Sequence, residues 1–261
     1  MPSPRRKGDP IAMTILYAIL AFMFGTLFAS FAEVVSTRLS RGETIGGKSR
    51  CPTCGHTLRL VDVFPLFGYA VNGGKCHYCK APIPILHPLA ELLGGLLFAA
   101  SYLVFGLTIE FAVSLVSIVV LLCASLSDME SQTVYDRVWI VGLIPLLVLR
   151  LLDRTILAHL FAAGLLFTVL YLIALLGEKL LKKEALGGGD VKLFIFIGFV
   201  LTWDAGLLAL FFASFLGFLF GIARKRKGAE LPFVPFLFAG VVIAHFAGAD
   251  IITWYLRLLG A

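Results

Sequence analysis

The sequence predicts an all-α polytopic membrane protein with about eight transmembrane helices and one cytoplasmic zinc-binding loop. Three observations carry that prediction. Hydrophobic residues fill 59% of the 261 positions and the mean hydropathy is +0.96, too apolar for a soluble domain of this length. Apolar stretches recur near residues 10–33, 88–107, 109–127, 137–152, 155–176, 191–203, 205–223 and 232–258. Between the first two stretches lie four cysteines in two Cys-x-x-Cys pairs.

Residues 1–37 are expected to form the first transmembrane segment. Arg5, Arg6 and Lys7 ahead of an apolar run also have the form of a secretory signal. The run is longer than a signal's apolar region, so a retained span is expected. With the N-terminus outside, the segments 38–87, 128–137, 177–192 and 224–231 lie inside and hold 16 of the 22 Lys and Arg residues. The positive-inside rule favours that orientation, although Arg5, Arg6 and Lys7 point the other way. The net charge of +6 is therefore read as membrane topology. Lipid is the expected surrounding and nucleic acid is not an expected partner.

Residues 38–87 form the one sizeable loop. Cys51 and Cys54 form one knuckle, Cys76 and Cys79 the other, with 21 residues between them. Four thiolates suit the tetrahedral preference of zinc, and Gly55 leaves room for the first turn. A fully ligated ion of this kind is structural, stapling a loop too short to build its own core. Disulfides are the competing reading and are disfavoured in a reducing cytosol. His56 and His77 are expected bystanders, and Cys123 a small core residue within a span.

Residues 88–261 carry the remaining spans and the acids. Asp128 ends one apolar run, and Asp190 closes Gly187-Gly188-Gly189 just before another. Carboxylates at the ends of membrane helices are costly unless they face water or each other. Two carboxylates sharing a site cannot both ionise easily, so one holds a proton while the other activates water, the division of labour of an aspartic protease. The glycines are expected to take unusual dihedrals and to let an extended peptide approach. The stretch 191–203 is short enough to need polar help at its N-terminal end. Asp136 is an alternative acid, while Glu130 reads as part of an interfacial turn. A transporter or metal-handling protein, with an ion held by Asp128 and Asp190, is the reading from another class. Both acids lying toward one membrane face argues against it.

In chain order, Gly25 to Leu39 with Ser30-Phe31 and Arg38-Leu39, Ser49-Arg50-Cys51-Pro52, Phe64-Pro65-Leu66 and Gly74 to Cys79 are followed by Pro84 to Leu92 with Glu91. Asp128 with Asp136, then Gly187 to Asp190 with Lys192-Leu193, complete the series. This series resembles the bacterial type IV prepilin peptidases, aspartic membrane proteases of the GxGD class. The resemblance implies cleavage of the basic leader of prepilins and pseudopilins after a glycine, at the cytoplasmic side of the bacterial inner membrane. It also implies N-methylation of the new N-terminus with S-adenosylmethionine. The catalytic pair then matches Asp128 and Asp190, with Asp136 a secondary acid. The loop 38–87 is associated with methyl transfer, and 88–261 with peptidase chemistry. The chain departs from the pattern at Phe31-Ala32-Glu33, where Phe-Leu-Asn is usual, and at Val134-Tyr135, where Leu-Pro or Ile-Pro is usual. The second departure leaves Asp136 as an alternative catalytic residue. A methyl donor's sulfonium and an acceptor amine both call for acids, and Glu33 and Glu91 flank the loop. Their other reading is pairing with Arg38 or Arg50 at the interface.

Overall fold

The computed structural model describes residues 10–182, 187–224 and 231–258. Its elements, in order, are α1 (Pro10–Ser40), α2 (Leu60–Val63), α3 (Phe67–Val71), α4 (Leu86–Phe105), α5 (Ile109–Ser131), α6 (Asp136–Leu152), α7 (Ile156–Leu181), α8 (Gly188–Val200), α9 (Trp203–Arg224) and α10 (Val234–Leu258). Among the described residues there is no β-strand, only isolated bridges pairing Arg50 with Thr57 and Lys75 with Pro82.

The eight expected spans correspond to eight helices, of which α1, α4, α5, α7, α9 and α10 are long and apolar enough to cross a membrane. The other two are shorter. Helix α6 has 17 residues and α8 has 13, so at 1.5 Å per residue α8 is only about 20 Å long, against about 30 Å of hydrocarbon. Two boundaries also move. Helix α1 continues to Ser40 instead of stopping near residue 33, and α5 continues to Ser131, placing Asp128 within the helix instead of beyond it.

The chain divides into two compact units, Met1–Phe31 with Lys48–Phe111, and Ala32–Gly47 with Ala112–Ala261. In the first, α1 and α4 meet through small residues. A Cβ on Gly25 would lie 2.5 Å from the Gly94 carbonyl oxygen, and one on Gly94 only 2.6 Å from Ala29 Cβ. In a membrane, where helices gain little from hydrophobic exclusion, such close backbone approach is what holds them together. Tyr17 against Tyr102 and Phe28 against Phe98 fill the flanks, with ring centroids 5.8 and 6.1 Å apart.

In the second unit α8 packs against α6 and α7, and α9 against α7 and α10. The same device recurs: a Cβ on Gly198 would sit 2.3 Å from Ala163 Cα, and one on Gly240 2.3 Å from the Ala209 oxygen. Helix α8 is buried along most of its length, so its last carbonyls end inside protein where water cannot satisfy them. Arg150, 1% exposed, donates from Nε to the Phe199 oxygen at 2.9 Å and from a terminal nitrogen to the Val200 oxygen at 2.8 Å. His159 Nδ1 lies 3.0 Å from the Gly198 oxygen. The polar help needed by the short helix is thus found at its C-terminal end as well as at Asp190. Arg150→Met should strand two buried carbonyls, and at about 1–3 kcal/mol each should cost about 2–6 kcal/mol. Denaturation of the purified variant in detergent measures that loss.

Candidate functional site

The second unit brings the end of α5 to the start of α8. Asp128, buried in the last turns of α5, accepts the Val234 N–H on Oδ2 at 3.0 Å. Val234 opens α10, so this N–H is one of the donors that a helix start leaves unused, and an anion there also complements the helix dipole. Asp190 lies in the first turn of α8, and the charge of Asp128 acts on it. The two acids singled out in the sequence therefore lie near enough for the charge of one to bear on the other. Both are buried or partly buried, a setting in which opposed carboxylates interact strongly.

The glycines achieve this differently from the expectation. None of Gly187, Gly188 and Gly189 has a positive φ; Gly187 is extended at φ −64°, ψ 135°, and the other two are already helical. Their use is space. A Cβ on Gly189 would sit 2.9 Å from Val134 Cβ, one on Gly187 would sit 3.3 Å from Asp190 Oδ2, and one on Gly188 would meet nothing. Val134, a point of departure from the resembled pattern, thus fills the room that Gly189 leaves and seats the turn after α5 on the start of α8.

Asp136 is engaged otherwise. Its Oδ2 accepts from Lys192 Nζ at 2.8 Å and its Oδ1 from Trp139 Nε1 at 3.2 Å. It lines a cavity of about 530 Å³ together with Leu39, Glu43, Tyr135, Gly189 and Lys192, and neither Asp128 nor Asp190 is part of that lining. Glu130 pairs with Arg41 at 3.9 Å with both side chains partly exposed, as an interfacial turn requires.

In the first unit the four cysteine sulfurs lie within 4.8 Å of one another, and no disulfide joins them. Zinc–sulfur bonds of about 2.3 Å place tetrahedral sulfurs about 3.8 Å apart; Cys51 and Cys79 Sγ are 3.8 Å apart. The knuckles repeat one geometry. Gly55 N–H bonds the Cys51 oxygen and Lys80 N–H the Cys76 oxygen, while Cys51 and Cys76 N–H reach the oxygens of His56 and Ala81. Gly55 and Lys80 both take positive φ, +71° and +60°, so glycine fits the first turn without the strain that lysine carries in the second. The Cys51 thiol is lowered to about 6, chiefly by the Cys54 backbone N–H, while burial and the neighbouring sulfurs raise Cys54 to about 11, so without a metal the paired sulfurs favour one thiolate at Cys51. His56 stacks on Tyr78 at 4.6 Å and His77 meets the same ring edge-on; neither belongs to the sulfur cluster.

Glu91 is buried in α4 and accepts the Leu66 N–H on Oε2 at 2.8 Å, so its interfacial partner is a backbone amide and not Arg38 or Arg50. Arg38 instead donates to the oxygens of Ile45, Gly46 and Gly47. Glu33 is buried on α1. The sequence reading missed Val234, Arg150 and His159. The prolines at 232 and 235, which leave Val234 and Phe233 as the available donors, and an arginine closing an apolar run were the signals present.

A model of the bacterial peptidase A24 N-terminal domain matches residues 23–105, and a model of the type IV leader peptidase family matches residues 115–222. The prepilin leader peptidase/N-methyltransferase of Bacillus subtilis (strain 168) is 32% identical over 245 residues, covering 92% of this chain and 98% of its own length. The protein of the same name from Myxococcus xanthus is 34% identical over 210 residues, covering 79% of this chain and 63% of its own length. That from Pseudomonas aeruginosa is 30% identical over 285 residues, covering 94% of this chain and 96% of its own length. No solved structure matches the chain.

Proposed function

This chain belongs to the type IV leader peptidase family, and we propose that it cleaves the basic leader of prepilins and pseudopilins after a glycine and then N-methylates the new N-terminus. The peptidase reading is supported by Asp128 buried near the end of α5 and Asp190 in the first turn of α8, two segments that pack together through Val134 and Gly189. Asp128, already an acceptor for Val234 N–H, acts as the base; Asp190 carries the proton. Asp128 takes a proton from water as the water oxygen bonds to the scissile carbonyl carbon, and Asp190 gives its proton to the carbonyl oxygen. When the C–N bond breaks, the proton held by Asp128 passes to the leaving nitrogen and the hydroxyl proton returns to Asp190. The products are the leader's carboxyl group and the amine of the mature chain. Gly188, with open space over it, lets the substrate backbone pass close to Asp190.

The membrane concerned is the bacterial inner membrane, with the carboxylates and the cysteine loop toward the cytoplasm. The basic segments on that side support this orientation. Residues 1–37 anchor the loop, 38–87 serve methyl transfer, and 88–261 form the peptidase region. Cys51, Cys54, Cys76 and Cys79 hold one structural zinc. Bound S-adenosylmethionine supplies the methyl electrophile. Glu33 and Glu91 are assigned to orienting donor and amine, and Glu33→Gln and Glu91→Gln should give cleaved but unmethylated product by mass spectrometry. Wild-type methylation in both variants removes them from that step. An ion-transport role for the same acids is not favoured by the three relatives above, each of which carries a peptidase name.

Incubating the purified chain with a prepilin leader peptide tests the proposal. A single cut after the glycine is expected, and an intact peptide under conditions where the chain is folded contradicts it.

A further inference from the structure

Between the two cysteine knuckles the loop is built with its polarity reversed. Asp62, whose side chain is 6% exposed, accepts from Arg59 Nε at 3.0 Å, from an Arg59 terminal nitrogen at 2.8 Å and from Asn72 Nδ2 at 3.0 Å. Gly68 closes α3 onto α2, since a Cβ there would lie 2.5 Å from the Asp62 carbonyl oxygen. The Asp62 carboxylate is turned inward, with Arg59 lying part exposed over it. Outward stand Leu60, 91% exposed, and Val61, Phe64, Phe67 and Val71, each near half exposed. A contiguous apolar group of this kind outside the spanning helices marks a contact surface.

The turn joining α2 to α3 says where that surface lies. Leu66 has φ 60° and ψ −45°, and Phe67 N–H reaches back to the Pro65 oxygen, the rare positive-φ γ-turn that a side chain like leucine disfavours. Its own N–H is taken by Glu91, buried in the second turn of α4. Glu91 lies five residues into a helix long and apolar enough to cross the membrane, about 7–8 Å along its axis from Leu86. One hydrogen bond therefore fixes the strained turn level with the end of a spanning helix, not out in the cytosol. Lys48, Arg50, Lys75 and Lys80 stand exposed on the same loop.

We propose that α2, the turn at Leu66 and α3 form an interfacial anchor: Leu60, Phe64, Phe67 and Val71 insert among the shallow acyl carbons, just beneath the headgroups, of the bilayer that α1 and α4 cross, and the loop's lysines and arginine meet anionic headgroups. An apolar face seated at the headgroup boundary with a basic rim is the arrangement by which segments lie on membranes. The anchor holds the zinc-binding knuckles at a fixed height and is independent of which reaction the chain performs.

The test uses the full chain in lipid nanodiscs. Phe67→Trp adds one indole to Trp139, Trp203 and Trp254, whose emission is subtracted with the unaltered chain. With anionic lipid brominated on the shallow acyl carbons, more than half of the added emission should be lost, with much less lost to bromine near the acyl termini or to aqueous iodide. Val71→Trp should behave the same and serves where Phe67→Trp disturbs the turn. Replacing the anionic lipid with a zwitterionic one should reduce the shallow quenching. Emission open to iodide and untouched by brominated lipid overturns the proposal. So does emission shielded from iodide only after a leader peptide with its apolar segment is added, which makes the surface a polypeptide site.

Discussion

Asp128→Asn and Asp190→Asn should each reduce leader cleavage by about 10³-fold or more while leaving expression and membrane insertion intact. General acid and general base steps each contribute about 10²–10⁴-fold, and a pair sharing one proton fails when either member can no longer exchange it. Asn keeps the size and much of the hydrogen bonding of Asp, so Asp128→Asn retains an acceptor for Val234 N–H and the fold has no reason to change. Asp136→Asn is the contrast. It gives up a partly exposed pair with Lys192, worth about 0–1 kcal/mol, and should leave cleavage largely in place. Loss confined to Asp136→Asn, with full activity in Asp128→Asn, transfers the catalytic role to Asp136.

Stripping zinc from the loop is expected to have the second largest effect, and on structure instead of on peptidase chemistry. Structural zinc supplies about 10–16 kcal/mol to small domains that otherwise lack a core. Of the four cysteines only Cys51 and Cys76 are buried, so a bound metal would be the main link between the two knuckles. A strong chelator, or Cys51→Ser, should open the segment from Cys51 to Cys79 to added protease. Acidification should act the same way, because the thiols must be deprotonated to bind and the metal is lost as pH falls. Leader cleavage should survive, since no cysteine belongs to the acid pair. Elemental analysis showing no metal in the folded protein contradicts the zinc assignment.

The apolar helices and the sulfur cluster were legible because each depends on residues close together in sequence: an apolar window, a knuckle spacing. What was not legible depends on partners that the fold alone brings together. Val234 donates to an acid 106 positions earlier, and Arg150 serves carbonyls 49 and 50 positions later; backbone groups leave no mark in composition. The backbone conformation of the glycines was misread for the same reason. Three in a row suggest freedom of φ, yet the need is room for Val134 beside Gly189, and Val134 belongs to a different turn. Helix ends moved because hydropathy falls off before hydrogen bonding does, as at Asp128, where α5 continues to Ser131.

The pH dependence of kcat/KM for leader cleavage tests the central claim most directly. If Asp128 and Asp190 act as one unit holding one proton, the profile has two limbs: activity falls at low pH as the base becomes protonated and at high pH as the acid loses its proton. Both limbs should persist in Asp136→Asn. A profile without an acid limb, or one whose limbs disappear only in Asp136→Asn, contradicts the assignment of the chemistry to Asp128 and Asp190.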